Sequence, residues 1–143
     1  GKPNNIFPQI TQVAIGKLDE IKIFGSDWPT LDGTGVRDYI HVMDLAEGHL
    51  SALEHLSKGK PQNLTLNLGT GIGTSVIELI KRFEKVNNIE IPFSFQDRRP
   101  GDSPFLVADN SMAKTILNWN PEKNIEDICK DGWNWQIRNP NGY

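Results

Sequence analysis

Two periods of apolar residues run through this chain, and the switches between them predict its elements. Ile6, Ile10, Val13 and Ile15 recur at helical spacing, which predicts a helix from Ile6 to Leu18 with Pro8 in its first turn and Gly16 near its end. Glu20 to Phe24 alternates and is rich in β-formers, so it reads as a strand closed by Gly25-Ser26-Asp27. Trp28 to Gly35 is a loop, and Val36 to Val42 is extended. Asp44 then serves as the cap of a helix to Leu56, with Leu45, Ala46, His49, Leu50, Leu53 and Leu56 as its apolar positions. Leu64 to Leu68 reads as a strand running into Gly69-Thr70-Gly71-Ile72-Gly73-Thr74. Ser75 and Glu78 have capping-box spacing, and Val76, Leu79, Ile80 and Phe83 form the clearest helical stripe in the chain. Ile91 to Phe95 alternates, Asp97 to Pro104 is a polar loop, and Phe105 to Ala108 is short and extended. Asp109 caps a helix to about Leu117, and Asn124, with Asp127 three residues on, caps the last one. The order α-β-β-α-β-α-β-(β)-α-α, with few short strands and several helices, predicts a small α/β domain of α+β character.

Composition narrows the classes. With 143 residues, 37% hydrophobic and 23% charged, the chain suits one soluble domain that buries about two-thirds of its unfolded surface. A net charge of −3 gives no basic field for nucleic acid or an anionic membrane. The single cysteine, Cys129, excludes a disulfide within the chain and fits a reducing compartment. No apolar run approaches a membrane span, and no segment has the pattern of a signal peptide. The opening Gly1-Lys2-Pro3-Asn4-Asn5 carries no initiator Met, which is expected of a trimmed terminus or of a piece of a longer protein.

Candidate chemistry is sparse. The Gly-x-Gly-x-Gly turn after Leu68 follows a strand and opens a helix, with Asp97 closing the next strand. That is the order of a dinucleotide site, but the third Gly falls one place early, so a tight turn approached by a ligand or by neighbouring backbone competes with it. Only five arginines stand against ten lysines. Arg82 is expected on the exposed side of its helix. Arg37 and Arg99 flank Gly-rich loops, each beside an acid, Asp38 or Asp102. They are either a phosphate clamp or two structural ion pairs. His41, His49 and His55 do not form a metal set, no nucleophile arrangement is present, and no Tyr-x-x-x-Lys occurs, since Met43 follows Tyr39 at i+4. Trp119, Trp133, Trp135 and Tyr143 are expected to form a packed cap.

Five stretches, PNNIFPQI, IKIFGSDWPTLDGTGVRDYIHVMDLAEGHLSAL, LNLGTGIGTSV, DRRPGDSPFLVAD and DGWNWQIRNPNGY, resemble in order the C-terminal portion of the UDP-glucose 4-epimerase (UDP-galactose 4-epimerase) family of extended short-chain dehydrogenase/reductases. The resemblance implies that residues 1–143 are a UDP-sugar-binding domain. A Rossmann domain carrying NAD, the catalytic Ser/Thr and the Tyr-x-x-x-Lys pair would lie outside this chain, which would have no catalytic residues and no activity of its own. It implies contacts to the UDP-sugar from Asn5 and Ile6, and reading of uracil by the backbone of Lys22, Ile23 and Phe24. It gives the diphosphate to Arg37 and Arg99, a pocket wall to Tyr39 and Val76, and the ribose hydroxyls to Asp102. Leu106 lies where bacterial members often have Tyr. A smaller residue there goes with N-acetylated sugars, which leaves UDP-N-acetylglucosamine open beside UDP-glucose and UDP-galactose. The implied parent is a cytoplasmic, NAD-dependent homodimer that inverts C4 through a 4-keto sugar, with no nucleic-acid or membrane partner and no metal. Another extended-family sugar-nucleotide enzyme, such as a 4,6-dehydratase, or a non-catalytic binding or interaction module are the competing readings.

Overall fold

A computed structural model describes residues 5–59 and 63–142. The elements are α1 (Ile6–Ala14), β1 (Ile21–Phe24), β2 (Val36–Asp38), α2 (Val42–Lys58), β3 (Gly73–Ser75), α3 (Val76–Asn87), β4 (Phe93–Gln96), β5 (Phe105–Leu106), α4 (Ser111–Leu117) and α5 (Ile125–Arg138). The order of types matches the expectation, and the domain is a small mixed α/β unit. Two sheets form. β1 and β4 pair in parallel, and a three-stranded sheet runs β3-β2-β5, with β3 antiparallel and β5 parallel to β2.

The core gathers Ile10 and Val13 of α1, Ile21 and Ile23 of β1, Leu79, Ile80 and Phe83 of α3, Ile91 and Cys129. The helical stripe read in α3 is therefore the one buried against everything else. Phe83 meets Phe7 and Trp133 edge-on, with ring centroids 6.1 and 6.0 Å away. Gly132 makes this packing possible, because a Cβ there would overlap the Phe7 ring. Arg82, expected in solvent, instead ties α3 to α5. Its Nη1 donates to Glu126 at 2.6 Å and its Nη2 to Glu78 at 3.4 Å.

Several boundaries move for identifiable reasons. α1 stops at Ala14, because Ile15 leaves helical geometry and Gly16 turns left-handed at φ +74°. β2 is three residues rather than seven. α2 begins at Val42, capped by the His41 ring, whose Nδ1 accepts from the Met43 amide at 3.1 Å. Asp44 is thus not the cap. It is buried, and its carboxylate accepts the Glu122 and Lys123 amides at 3.1 and 3.0 Å, while its carbonyl takes the Trp119 indole N–H at 3.0 Å. Asn110, not Asp109, holds the cap position of α4, although Asp109 accepts the Ser111 amide at 3.0 Å. Ser75 caps α3 and Asn124 with Asp127 forms a full capping box, as read.

One expectation fails outright. Leu64–Leu68 belongs to neither sheet, and the strand in that region is Gly73–Ser75, inside the stretch read as a turn. The apolar positions assigned to α2 are mostly exposed: Ala46, His49, Leu50, Leu53 and Leu56 face away from the domain, and the side that packs carries Asp44 and Gly48.

Candidate functional site

β1 is an edge strand on one side. Ile21 and Gly25 send their amides to Pro92 and Gln96 of the β4 segment at 2.8 and 2.9 Å. Strand alternation then turns the main-chain groups of Lys22 and Phe24 the other way. They face a cavity of about 960 Å³. The start of α1, the run from Gly35 through β2 to Met43, and the α5 face from Ile128 to Gln136 complete its walls, with Trp28, Val76, Arg99 and Asp102 at intervals. Ten of the residues singled out in the sequence line it: Asn5, Ile6, Lys22, Ile23, Phe24, Arg37, Tyr39, Val76, Arg99 and Asp102. Leu106 does not. It is 64% exposed on β5, paired in register with Arg37.

The two arginines are held differently. Arg37 is half-buried, and its Nη1 donates to the carbonyls of Val36 and Ser103 at 2.8 and 2.9 Å. Asp38 is not its partner, because adjacent strand residues point to opposite faces. Arg99 does pair with Asp102, Nε to Oδ2 at 3.2 Å, and its guanidinium lies 4.3 Å over the Phe24 ring. One arginine is therefore fixed by main-chain oxygens alone, while the other is an ion pair resting on an aromatic face. Beyond Phe24, Trp28 donates its indole N–H to the Phe24 carbonyl at 3.3 Å. The Arg98 guanidinium covers its ring at 4.0 Å, itself held by Asp27.

Asp38 explains the glycine turn. Its carboxylate accepts the Thr70 amide at 2.9 Å, the Thr70 hydroxyl at 2.6 Å, the Gly71 amide at 2.9 Å and the Ala108 amide at 3.3 Å. Gly69 is buried, and a Cβ there would meet both Asp38 and Ala108. The anion at this turn is the protein's own side chain, so the turn does not fit a dinucleotide pyrophosphate.

Tyr39 lines the cavity, and its hydroxyl is the buried side-chain polar atom left without a partner among the described residues. Burial pushes its pKa up to about 12 against the pull of the Arg37 charge. An orphaned buried hydroxyl of this kind is a place where a ligand atom completes a hydrogen bond. Thr11 lies outside the stretches that carry the resemblance, and Trp28, His41, Trp135 and Gln136 lie inside them with no ligand role assigned, yet all line the same space. The one legible hint was polarity on an apolar helix face. Thr11 donates to Gln136 at 3.0 Å, joining α1 to α5, and buried His41 contacts Asp131 at 3.3 Å. Among the described residues no group of His, Cys, Asp and Glu could hold a metal ion.

The sequence profile of one family, described as GDP-mannose 4,6 dehydratase, matches residues 2–132. The chain belongs to the GDP-mannose 4,6-dehydratase family. Curated relatives include the UDP-glucose 4-epimerases of Pasteurella multocida (strain Pm70), 55% identical over 143 residues, and of Bacillus subtilis (strain 168), 52% identical over 143 residues. Each match covers 100% of this chain and 42% of the relative. A solved structure of the Bifidobacterium longum UDP-glucose 4-epimerase in complex with NAD+ and UDP superposes with a TM-score of 0.94 at 46% identity, over 100% of this chain and 42% of that one. The resemblance to the C-terminal portion of UDP-glucose 4-epimerases, read from the motifs, therefore holds within this family. The chain spans 42% of the length of the curated relatives it matches.

Proposed function

We propose that residues 1–143 are the UDP-sugar-binding domain of an epimerase that interconverts UDP-glucose and UDP-galactose at C4, and that they are inactive alone. The observation that carries this reading is the convergence of Arg37 and Arg99, 62 positions apart in sequence, on one cavity beside the free edge of β1. A diphosphate offers two anionic groups, and guanidinium is the side chain that grips each with paired N–H donors. In this assignment the uracil lies along the main chain of Lys22, Ile23 and Phe24. Asp102 accepts from the ribose hydroxyls, and Tyr39 gives its orphan hydroxyl to the ligand. Asn5, Ile6 and Val76 border the path to the sugar. Holding the non-reacting nucleotide firmly lets binding energy position a sugar that must itself stay free to turn.

The chemistry belongs to the remainder of a longer parent protein. NAD, bound there, would take and return the C4 hydride, and a Tyr-x-x-x-Lys pair would move the 4-hydroxyl proton. The parent is assigned to galactose metabolism in the cytoplasm, as a homodimer, with its own Rossmann domain as this domain's partner. The buried free thiol of Cys129 fits such a reducing compartment. Among the described residues no helix is long and apolar enough to cross a membrane. Leu106 favours one variant of this reading. No aromatic residue stands at that strand position, so UDP-N-acetylglucosamine is a second candidate substrate.

Calorimetry of residues 1–143 with UDP and UDP-glucose tests the binding assignment, with weak, nucleotide-dependent binding expected. NMR analysis of products formed by the parent protein from UDP-glucose and UDP-N-acetylglucosamine decides the substrate. Epimerase turnover by residues 1–143 alone would overturn the division of labour.

A further inference from the structure

We propose that a groove behind the β3-β2-β5 sheet docks a helix of a partner protein, one that sets apolar side chains beside two carboxylates a turn apart. Val36 and Phe105 are register partners on one face of that sheet, while Arg37, next along β2, turns to the first cavity on the other. A second space of about 880 Å³ opens over Val36 and Phe105. One wall is the loop from Pro29 to Asp32. The other is the stripe Ile77, Lys81 and Lys85 of α3, at i, i+4 and i+8, turned away from the buried Leu79 and Phe83. Leu31 is fully exposed over this groove, and Phe105 is 61% exposed. Neither stands on a loose support. Asp32 accepts the Thr34 amide and hydroxyl at 2.9 and 2.7 Å and also the Ser75 hydroxyl, and the Thr30 hydroxyl donates to the Thr34 carbonyl at 2.7 Å. At the floor, a Cβ on Gly73 would overlap Val36 and crowd Val107 and Phe105. Single exposed leucines are ordinary, but a leucine and a phenylalanine held over one groove form a patch of the kind that marks an interaction surface. Because both are fixed beforehand, a partner spends little on ordering them.

Charge selects the occupant. The chain is acidic overall, with a net charge of −3, yet the acids at this groove are already engaged. Asp32 serves its own loop, and Glu78 holds Arg82 together with Glu126. Lys81 and Lys85 are exposed and enter no ion pair among the described residues. Their ammonium groups stand one helical turn apart along the edge of the apolar floor. A partner helix laid along α3 offers carboxylates at the same i, i+4 spacing. Its neighbouring stripe then meets Leu31 and Phe105, the arrangement of an amphipathic helix in a groove. A basic helix would set like charges against both lysines, and a neutral one would leave them unmatched, so the groove discriminates by sign.

Fluorescence anisotropy on the parent protein, with and without UDP, tests this. The probes are three labelled Ala-rich helices of about 16 residues that share one Leu/Phe stripe and carry Glu, Gln or Lys at the flanking i, i+4 positions. The Glu helix should bind roughly tenfold more tightly than the Lys helix, the scale of two surface ion pairs replaced by two repulsions. That margin should shrink as NaCl rises from about 0.05 to about 0.5 M. Lys81→Glu/Lys85→Glu should invert the order, and Phe105→Ser should weaken all three helices. The lysines are exposed and unpaired among the described residues, so their reversal leaves the fold intact and decides the matter even if Phe105→Ser does not fold. Equal affinity for the three helices, no binding by any, or an order unmoved by the charge reversal would overturn the proposal. So would displacement of the Glu helix by UDP, which would put it in the first cavity. Self-association of the parent that Phe105→Ser abolishes would also overturn it, since the occupant would then be a second copy. The expected order in a parent that binds no UDP would keep this inference and sink the sugar-nucleotide reading.

Discussion

Replacing Asp38 with Asn tests how firmly an internal anion holds the site together. One carboxylate oxygen accepts the Thr70 amide and hydroxyl, and the other accepts the Gly71 and Ala108 amides. Asn retains one acceptor oxygen and puts an NH₂ in place of the other. Two main-chain donors then face a donor, on either side of a buried Gly69 that leaves no slack. Hydrogen bonds to a charged group contribute about 1.5–3 kcal/mol each, so losing two costs roughly 3–6 kcal/mol. That is a large part of the ~5–15 kcal/mol available to a domain of this kind. With a urea m-value near ~2 kcal/mol/M, the midpoint should fall by about 2 M. Urea unfolding followed by circular dichroism measures it. A midpoint within about 0.5 M of wild type at unchanged m would refute the argument, and would mean that the turn holds its shape without its anion.

Three further outcomes are expected. Arg37→Met and Arg99→Met should each weaken UDP binding by roughly 10- to 100-fold in calorimetry, the size of one charge-assisted contact, and Arg37→Lys should recover little because the fork is lost. Tyr39→Phe should raise ligand-free stability by about 1 kcal/mol by removing an unpaired buried hydroxyl. Its wild-type pKa of about 12 lies above the unfolded value, so neutral Tyr39 favours the folded state fully below pH ~10, and that contribution fades as pH climbs towards 12. The stabilities of the two proteins should therefore differ by a constant offset up to about pH 10, and the gap should widen above it, with the wild type the one that falls. Cys129 should resist a thiol-disulfide reagent at pH 8 in the native protein and react on unfolding, because burial first and the Glu126 charge second push its thiol up to about 12 against the opposing pull of Arg82.

The order of elements was legible because local signals set it: the stripe of α3, the caps at Ser75 and Asn124, and the alternation of β1. What escaped was set by pairing across the chain. β3 is three residues held by β2, with a glycine at its start, and nothing local marks Gly73–Ser75 as a strand. The apolar positions of α2 were legible as apolar, but not their exposure, since periodicity reports which side wants cover and not what supplies it. Arg37 and Arg99 stood out because guanidinium beside a tight turn is uncommon. Whether they faced each other or their neighbouring acids depended on strand pleat for Arg37 and on loop geometry for Arg99, and the answers differ. Gln136, Thr11 and His41 were given no part in the site, because their neighbours come from elements more than thirty positions apart or from a helix whose docking no local pattern encodes.

The position of Trp28 has an optical consequence. Trp28 and Trp135 line the cleft, from a loop and from α5, while Trp119 is buried behind α2. An indole with a guanidinium 4.0 Å above its ring emits in an unusual local field. A nucleotide entering beside it would alter both that field and its exposure to water, so emission should report occupancy of the cleft without a label. Trp119, shielded from the cleft and bonded to Asp44, would report only whether the chain is folded. Single-tryptophan variants would thus separate two signals that most binding assays on a protein of this size mix together.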